Sequence, residues 1–112
     1  MLARRYRLPT SIRFPRNATF ITDDYLFKWT TNALSYSRFG FIVRKTLDKR
    51  ATRRNRVKRL LRSCVEELQK QIVPGYDMLF LLKQGIMGKT RRQLLDELKQ
   101  TLKKNRLLKI GE

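Results

Sequence analysis

The residues best suited to chemistry in this chain are cations. Positions 44 to 62 hold Arg44, Lys45, Lys49, Arg50, Arg53, Arg54, Arg56, Lys58, Arg59 and Arg62, opposed within that run by Asp48 alone. Guanidinium and ammonium groups at this density suit phosphate oxygens, because each contact is charge-assisted and releases condensed counterions. Groups for covalent or acid–base chemistry are scarce. The chain has no histidine, which removes the commonest general base and metal ligand. A Cys/His zinc site is impossible with Cys64 as the single cysteine. No glycine-rich phosphate loop of standard spacing is present. Asp23–Asp24 and Glu66–Glu67 are sequence neighbours, and neighbours point to different faces of a strand or helix. Both pairs therefore read as ordinary surface carboxylates rather than preorganised acid–base couples, a weak magnesium contact shared with RNA being the lesser alternative.

The whole chain repeats this imbalance. Its 112 residues carry 27 Lys plus Arg against 9 Asp plus Glu, a formal net charge of +18. So large an excess opposes compaction and calls for a polyanionic partner, nucleic acid first. An acidic membrane is the second candidate, but no apolar run approaches the roughly 20 residues of a spanning helix. With 41% hydrophobic residues the chain can build one core, and its length suits one domain, residues 1–112. Cys64 falls at a core-facing helical position, so packing is its expected role. A lone cysteine excludes an internal disulfide, and the basic start Met1–Leu8 meets Pro9 before any apolar stretch. Both point to a cytoplasmic protein.

The cations need elements to position them. Residues 1–18 are basic and broken by Pro9 and Pro15, favouring an extended or partly turned segment. Residues 19–31, TFITDDYLFKWTT, are rich in β-branched and aromatic side chains and predict a strand, strongest over 25–31. Asn32 to Ser37 reads as a connection to a second strand, Arg38–Lys45, expected to pair antiparallel with the first. From about Thr52 to Ile72, Val57, Leu60, Leu61, Cys64, Val65, Leu68 and Ile72 recur at steps of three and four, one apolar stripe of a helix. Pro74-Gly75 ends it. Asp77–Lys83, DMLFLLK, suits a buried strand, and Gly85 and Gly88 mark a turn. Thr90 with Gln93 forms a capping-box pattern for a last helix buried through Leu94, Leu95, Leu98 and Leu102. The tail from Asn105 is expected to fray. The order strand, strand, helix, strand, helix defines an α+β sandwich, helices on a small, mostly antiparallel sheet.

Advancing about 100° per residue, the side of the long helix opposite its stripe collects Asn55, Lys58, Arg59 and Arg62, with Arg56 at its edge. Arg53 and Arg54 occupy the first turn, where cations oppose the helix dipole at a cost of several tenths of a kcal/mol. A bound phosphate would offset that cost. An ordinary solvated helix face intersperses acids for i,i+4 pairing, and this one does not. Tyr25, Phe27 and Trp29 alternate on one face of the first strand, Phe39 and Phe41 on one face of the second. Such aromatics either form core, as expected for Phe39 and Phe41, or stack on unpaired bases, for which Trp29 is the best candidate. Lys28 beside it marks the opposite face as wet.

Arg53–Arg62, RRNRVKRLLR, resembles the signature of the bacterial ribonuclease P proteins, centred on Arg54-Asn55-Arg56 and followed by Val57, Lys58 and Arg59. Phe39-Gly40-Phe41-Ile42-Val43-Arg44-Lys45 and Arg50-Ala51 match the approach to that motif, and the resemblance covers about residues 19–104. It implies a ribosomal-protein-S5-domain-2-like α+β fold with a left-handed βαβ crossover. It implies that the basic helix and its preceding loop dock on a catalytic RNA. A cleft between sheet and helix would take the single-stranded 5′ leader of precursor tRNA, with Trp29 and Phe14 as cleft aromatics. Cleavage would use Mg2+ held mainly by the RNA, with no ion bound tightly by the protein, no membrane and no obligate protein partner. Two features depart from the pattern. Ser63 stands where an acid is common, with Glu66 or Glu67 as substitutes, and the N-terminal region is short and proline-bearing, so a first helix is curtailed or absent. A ribosomal or other RNA-scaffolding protein shares the charge and size, and a protein-only nuclease is disfavoured by the missing histidine.

Overall fold

A computed structural model describes residues 3–9, 13–15 and 18–109. Its main elements are β1 (Thr19–Ile21), β2 (Tyr25–Thr31), β3 (Arg38–Ile42), α1 (Ala51–Leu68), β4 (Tyr76–Leu82) and α2 (Arg91–Lys104). They form one four-stranded sheet in the order β1-β2-β4-β3. Pairs β1–β2 and β2–β4 are antiparallel, whereas β3–β4 is parallel, so β3–α1–β4 is a βαβ unit. The mostly antiparallel α+β class expected from the sequence is what forms.

The expected pairing of β2 with β3 is not. β4 lies between them, because its largely apolar residues suit a central strand and because the Asn32–Ser37 connection spends its polar groups on the approach to β4. The Asn32 N–H donates to the Gly75 carbonyl at 3.0 Å. Ser37 Oγ donates to the Val73 carbonyl at 2.7 Å and accepts from the Tyr76 N–H at 3.1 Å. Arg38 then grips Asp77 bidentately, Nε to Oδ1 and Nη2 to Oδ2 at 2.8 Å each, locking the parallel register.

Residues 19–31 are likewise not one strand but a hairpin. Thr22 Oγ1 accepts the N–H groups of Asp24 and Tyr25 at 3.1 Å, making the turn. The apolar stripe of α1 behaves as its spacing predicts: Val57, Leu61, Cys64, Val65 and Leu68 are all buried. The helix stops four residues short of Ile72, yet a 3-10 turn, Gln69–Gln71, still delivers that side chain to the core. Thr90 and Gln93 form the predicted capping box of α2.

Both helices pack on one face of the sheet, against Tyr25, Phe27, Phe39, Phe41, Met78, Phe80 and Leu82. Phe80 sits at the centre, its ring 4.6 Å from Phe27 and 5.2 Å from Phe41. The alternate residues face away from the helices. There Ile21 and Ile42 are exposed, and Leu26, Lys28, Leu79 and Leu81 half-buried.

One terminal reading changes. The chain beyond Asn105 is docked rather than frayed as far as Lys109. Arg106 adopts φ 59°, the left-handed conformation that turns a chain back at a helix C-terminus, and this sends Leu107 into the core at 1% exposure. Leu107 O accepts the Val73 N–H at 2.8 Å and Gln71 O accepts the Lys109 N–H at 2.6 Å. Before β1, the described residues contain a single helical turn, Arg4–Tyr6; residues 1–2, 10–12 and 16–17, which bear on a first helix, lie outside the described residues. Arg7 then bridges to Phe39 in parallel fashion, and the Leu8 N–H donates to the Phe39 carbonyl at 2.8 Å. Arg7 and Leu8 thus lie along the outer edge of β3.

Candidate nucleic-acid interface

Because the α1 stripe is fixed in the core, helical geometry distributes its cations. Relative to that stripe, Arg54, Lys58 and Arg62 lie on the flank towards β3 and the N-terminal segment. Asn55 and Arg59 point outward and are exposed. Arg53 and Arg56 lie on the opposite flank, towards the Gln84–Lys89 loop, with which they line one cavity. Arg44, Lys45 and Lys49 are exposed on the loop before the helix. The cations therefore occupy three sides of α1.

The loop before α1 is built on Asp48, the one acid of the cationic run. Its Oδ1 accepts the Arg50 N–H at 2.9 Å and Arg50 Nε at 3.3 Å, and its Oδ2 meets Arg53 Nε at 3.1 Å. The Asp48 carbonyl accepts Arg54 Nη1 at 2.8 Å. The Arg50 N–H, together with the Arg50 and Arg53 charges, holds the Asp48 carboxyl below its ordinary range. In the sequence the signal of this anchoring role is the isolation of Asp48 among cations.

A cavity of about 280 Å³ opens between the N-terminal segment, the β3 edge and α1, walled by Leu8, Pro9, Phe14, Ile42 and Leu79. Its polar rim is Arg7 and Arg62. Gly40 forms the floor: a Cβ there would come within 3.1 Å of Leu8 Cβ and 3.3 Å of Leu79 Cδ1, so glycine lets the N-terminal segment lie flat on the strand. Arg62 is half-buried and, among the described residues, has no carboxylate partner. Burial and the like charge of Arg7 together lower its pKa from the usual arginine range. Two guanidinium groups beside an apolar hollow are unfavourable alone and become favourable with an anion between them. Arg7 was legible only as part of a basic N-terminal segment, since its partnership with Arg62 is a long-range contact.

The two expected cleft aromatics are not brought together. Phe14 lines the cavity. Trp29 lies on the helix-covered face of β2, its ring stacked on Phe27 at 5.1 Å and 17°, half-buried against the core. Trp29 alternates with Tyr25 and Phe27 as the sequence predicts, and the face they share is the inner one. Phe39 and Phe41 are core, as expected.

The carboxylates also resolve. Asp24 is buried at 2% exposure rather than a surface group, because the turn after Thr22 points it at α2 and the Gln84–Lys89 loop. There it pairs with Lys89 and shares a hydrogen bond with Glu97. Burial, then the neighbouring Asp24, raises the Glu97 carboxyl to about 7. Ser63 Oγ accepts Arg91 Nε at 3.1 Å while Glu67 takes Arg91 Nη2 at 2.8 Å. Ser63 and Glu67 thus share Arg91, which links α1 to α2. Among the described residues no group of three or more acid, Cys or His side chains is placed to hold a metal ion. No described helix is long and apolar enough to cross a membrane.

This fold is shared by ribonuclease P proteins of known structure. The protein from Staphylococcus aureus superposes with a TM-score of 0.70 at 22% identity, covering 80% of this chain and 81% of that one. The protein from Thermotoga maritima gives a TM-score of 0.71 at 22% identity, over 77% and 81% of the two chains. In sequence, the ribonuclease P protein component of Legionella pneumophila (strain Corby) is 35% identical over 83 residues, 74% of this chain and 70% of the relative. That of Synechococcus elongatus is 32% identical over 106 residues, 90% and 85% of the respective lengths. The family model for ribonuclease P matches residues 2–106, and the chain belongs to the ribonuclease P protein family.

Proposed function

We propose that this chain is the protein subunit of a cytoplasmic ribonuclease P, assisting removal of the 5′ leader from precursor tRNA. α1 and the loop before it, with Arg44, Lys45, Lys49, Arg54, Lys58 and Arg59, bind the catalytic RNA through its phosphates. The cavity between Phe14, Arg62 and the β3 edge takes the single-stranded leader. An extended strand fits there because its bases are free to stack while its phosphates reach the rim. The observation that carries this reading is the half-buried Arg62 beside Arg7, with no carboxylate partner among the described residues, at the mouth of an apolar hollow. Trp29, on the covered face, is assigned to the core edge, which leaves the stacking role to Phe14. Cleavage is assigned to the RNA, which would hold most of the Mg2+ it uses; the protein positions the leader and neutralises backbone charge.

The test is reconstitution with the cognate catalytic RNA. Protein alone should leave precursor tRNA intact. Added to the RNA, it should restore 5′ processing at magnesium concentrations where the RNA alone is inactive, and tighten binding of precursor over mature tRNA. If magnesium requirement and leader binding stay unchanged, the assignment is wrong, and sequencing of RNA co-purified from cells would show whether a scaffolding role replaces it.

A further inference from the structure

A hollow of about 270 Å³ lies at the start of β3, beyond the cleft. Four stretches far apart in sequence build it. Tyr6 comes from the N-terminal turn, Ser35 and Tyr36 from the β2–β3 connection, Gln69 from the turn after α1 and Lys109 from the docked tail, with Phe39 in the floor.

The Tyr6 and Tyr36 rings meet edge to face, their centroids 5.4 Å apart and their planes at 89°. A flat group in the hollow can therefore lie parallel to one ring while its rim touches the other, and aromatic groups favour both contacts. The Arg5 guanidinium stands over the Tyr6 ring at 5.4 Å, which adds positive charge at the edge. The Gln69 amide offers a donor and an acceptor side by side, the pairing that reads the edge of a base. Lys109 is fixed beside the hollow by its own backbone, whose N–H donates to the Gln71 carbonyl at 2.6 Å. Among the described residues, the side chains of Ser35, Gln69 and Lys109 have no hydrogen-bond or ion-pair partner. Pinning the N-terminal turn to the β2–β3 connection accounts for the ring contact. It does not account for an unengaged amide and ammonium beside those rings. The volume is just under the roughly 300 Å³ at which small-molecule pockets begin, and it suits one flat heterocycle with a charged group outside it.

The hollow also continues the cleft. Phe39 lines both, and Tyr6 here is followed directly by Arg7 there. A single strand leaving the cleft past Arg7 meets the tyrosines next.

We propose that Tyr6, Tyr36 and Gln69 form a second subsite, which takes one unpaired base of the leader strand with its phosphate facing Arg5 and Lys109. The identity of the strand rests on the leader reading of the cleft; the fit of the hollow to a nucleotide does not.

The experiment uses holoenzyme reconstituted with the cognate catalytic RNA and precursor tRNAs in which one leader nucleotide at a time is abasic. One position, separate from those that respond to Phe14→Ala, should lose about tenfold in affinity, the worth of one stacked base. Tyr36→Leu and Gln69→Ala should each weaken binding of the intact leader several-fold. Neither should weaken binding of the leader that is abasic at that position, because the base they contact is already gone, and neither should affect mature tRNA. Gln69→Ala leaves every buried side chain in place, so its result stands even where Tyr36→Leu loosens the turn. If no leader position couples to either variant, the proposal is overturned. In parallel, the full-length, 15N-labelled protein is titrated with adenosine 5′-monophosphate and, separately, with ribose 5-phosphate. The Gln69 side-chain amide should shift saturably with the first and barely with the second, which lacks the base. If that amide saturates while precursor and mature tRNA bind equally, the leader reading fails and the nucleotide site stands. If the precursor keeps a Phe14-dependent advantage while Gln69 answers neither probe and no position couples, the hollow fails alone.

Discussion

Arg62 shows how a side chain can be costly to the free protein and useful to the complex. Its charge sits half out of water beside Arg7, so neutralising it relieves repulsion as the protein stands alone. Arg62→Gln should leave the melting temperature unchanged or slightly higher while weakening precursor tRNA by about 1.5–3 kcal/mol relative to mature tRNA. Parallel thermal melts and binding to the two tRNAs check this, and a drop in melting temperature with no loss of discrimination would refute it. The aromatic residues separate by the same comparison. Phe14→Ala should cost about 1–3 kcal/mol for the precursor alone, the worth of one stacked base. Trp29→Ala should instead destabilise the fold by about 2 kcal/mol, as a half-buried aromatic, and affect both tRNAs equally. What hid this difference was local ambiguity. Alternation shows that Tyr25, Phe27 and Trp29 share a face, but which face meets the helices depends on elements far along the chain. Asp24 was hidden for the same reason, since adjacency to Asp23 says only that one of the two points elsewhere.

At the scale of elements, what forms from local pattern was legible and what depends on distant closure was not. The α1 stripe and the Thr90–Gln93 cap are written in spacings of three and four residues, and both stand where that spacing puts them. The cationic motif around Arg54-Asn55-Arg56 was legible as well, because a helix with one face fixed in the core distributes the rest by arithmetic. The position of β4 was not, since a strand with two near-equal apolar faces can pair with either neighbour and only Ser37, Asn32 and the Arg38–Asp77 pair decide the matter. The C-terminal turn escaped because nothing in the type of Arg106 announces a positive φ. Its importance can be measured: Leu107→Ala should destabilise the protein by about 2–5 kcal/mol, as for other buried leucines, visible as a lower denaturant midpoint. A change within about 0.5 kcal/mol would mean that the tail is dispensable.

For the whole molecule, the net charge of +18 and the buried carboxyl pair set its response to solution conditions. Glu97, raised to about 7, keeps in the folded state a proton that the unfolded chain releases near the ordinary value of 4.5. The folded form then binds more protons across that interval, so stability should fall as pH rises from about 4.5 to 7. Asp24, lowered from its usual range, acts only below that interval, where acidification removes its contribution. Glu97→Gln retains a neutral carboxamide beside Asp24 and should flatten the decline between pH 4.5 and 7, read from denaturant midpoints at each pH. An unaltered slope would place the proton elsewhere. The same architecture also sets a timetable for the chain as it is made. β2 and β3 are separated by a short connection but never touch, and the strand that joins them comes only after α1. Until Tyr76 to Leu82 has been synthesised, β3 has no neighbour in the sheet apart from the short N-terminal segment, and the apolar stripe of α1 has no completed surface to cover. Late closure of this kind is slow and leaves strand edges open meanwhile. A fragment ending at Gly75 should therefore lack cooperative unfolding and fixed side-chain NMR signals, whereas one reaching Lys109 should show both. This protein is committed to its shape by one of the last strands to leave the ribosome.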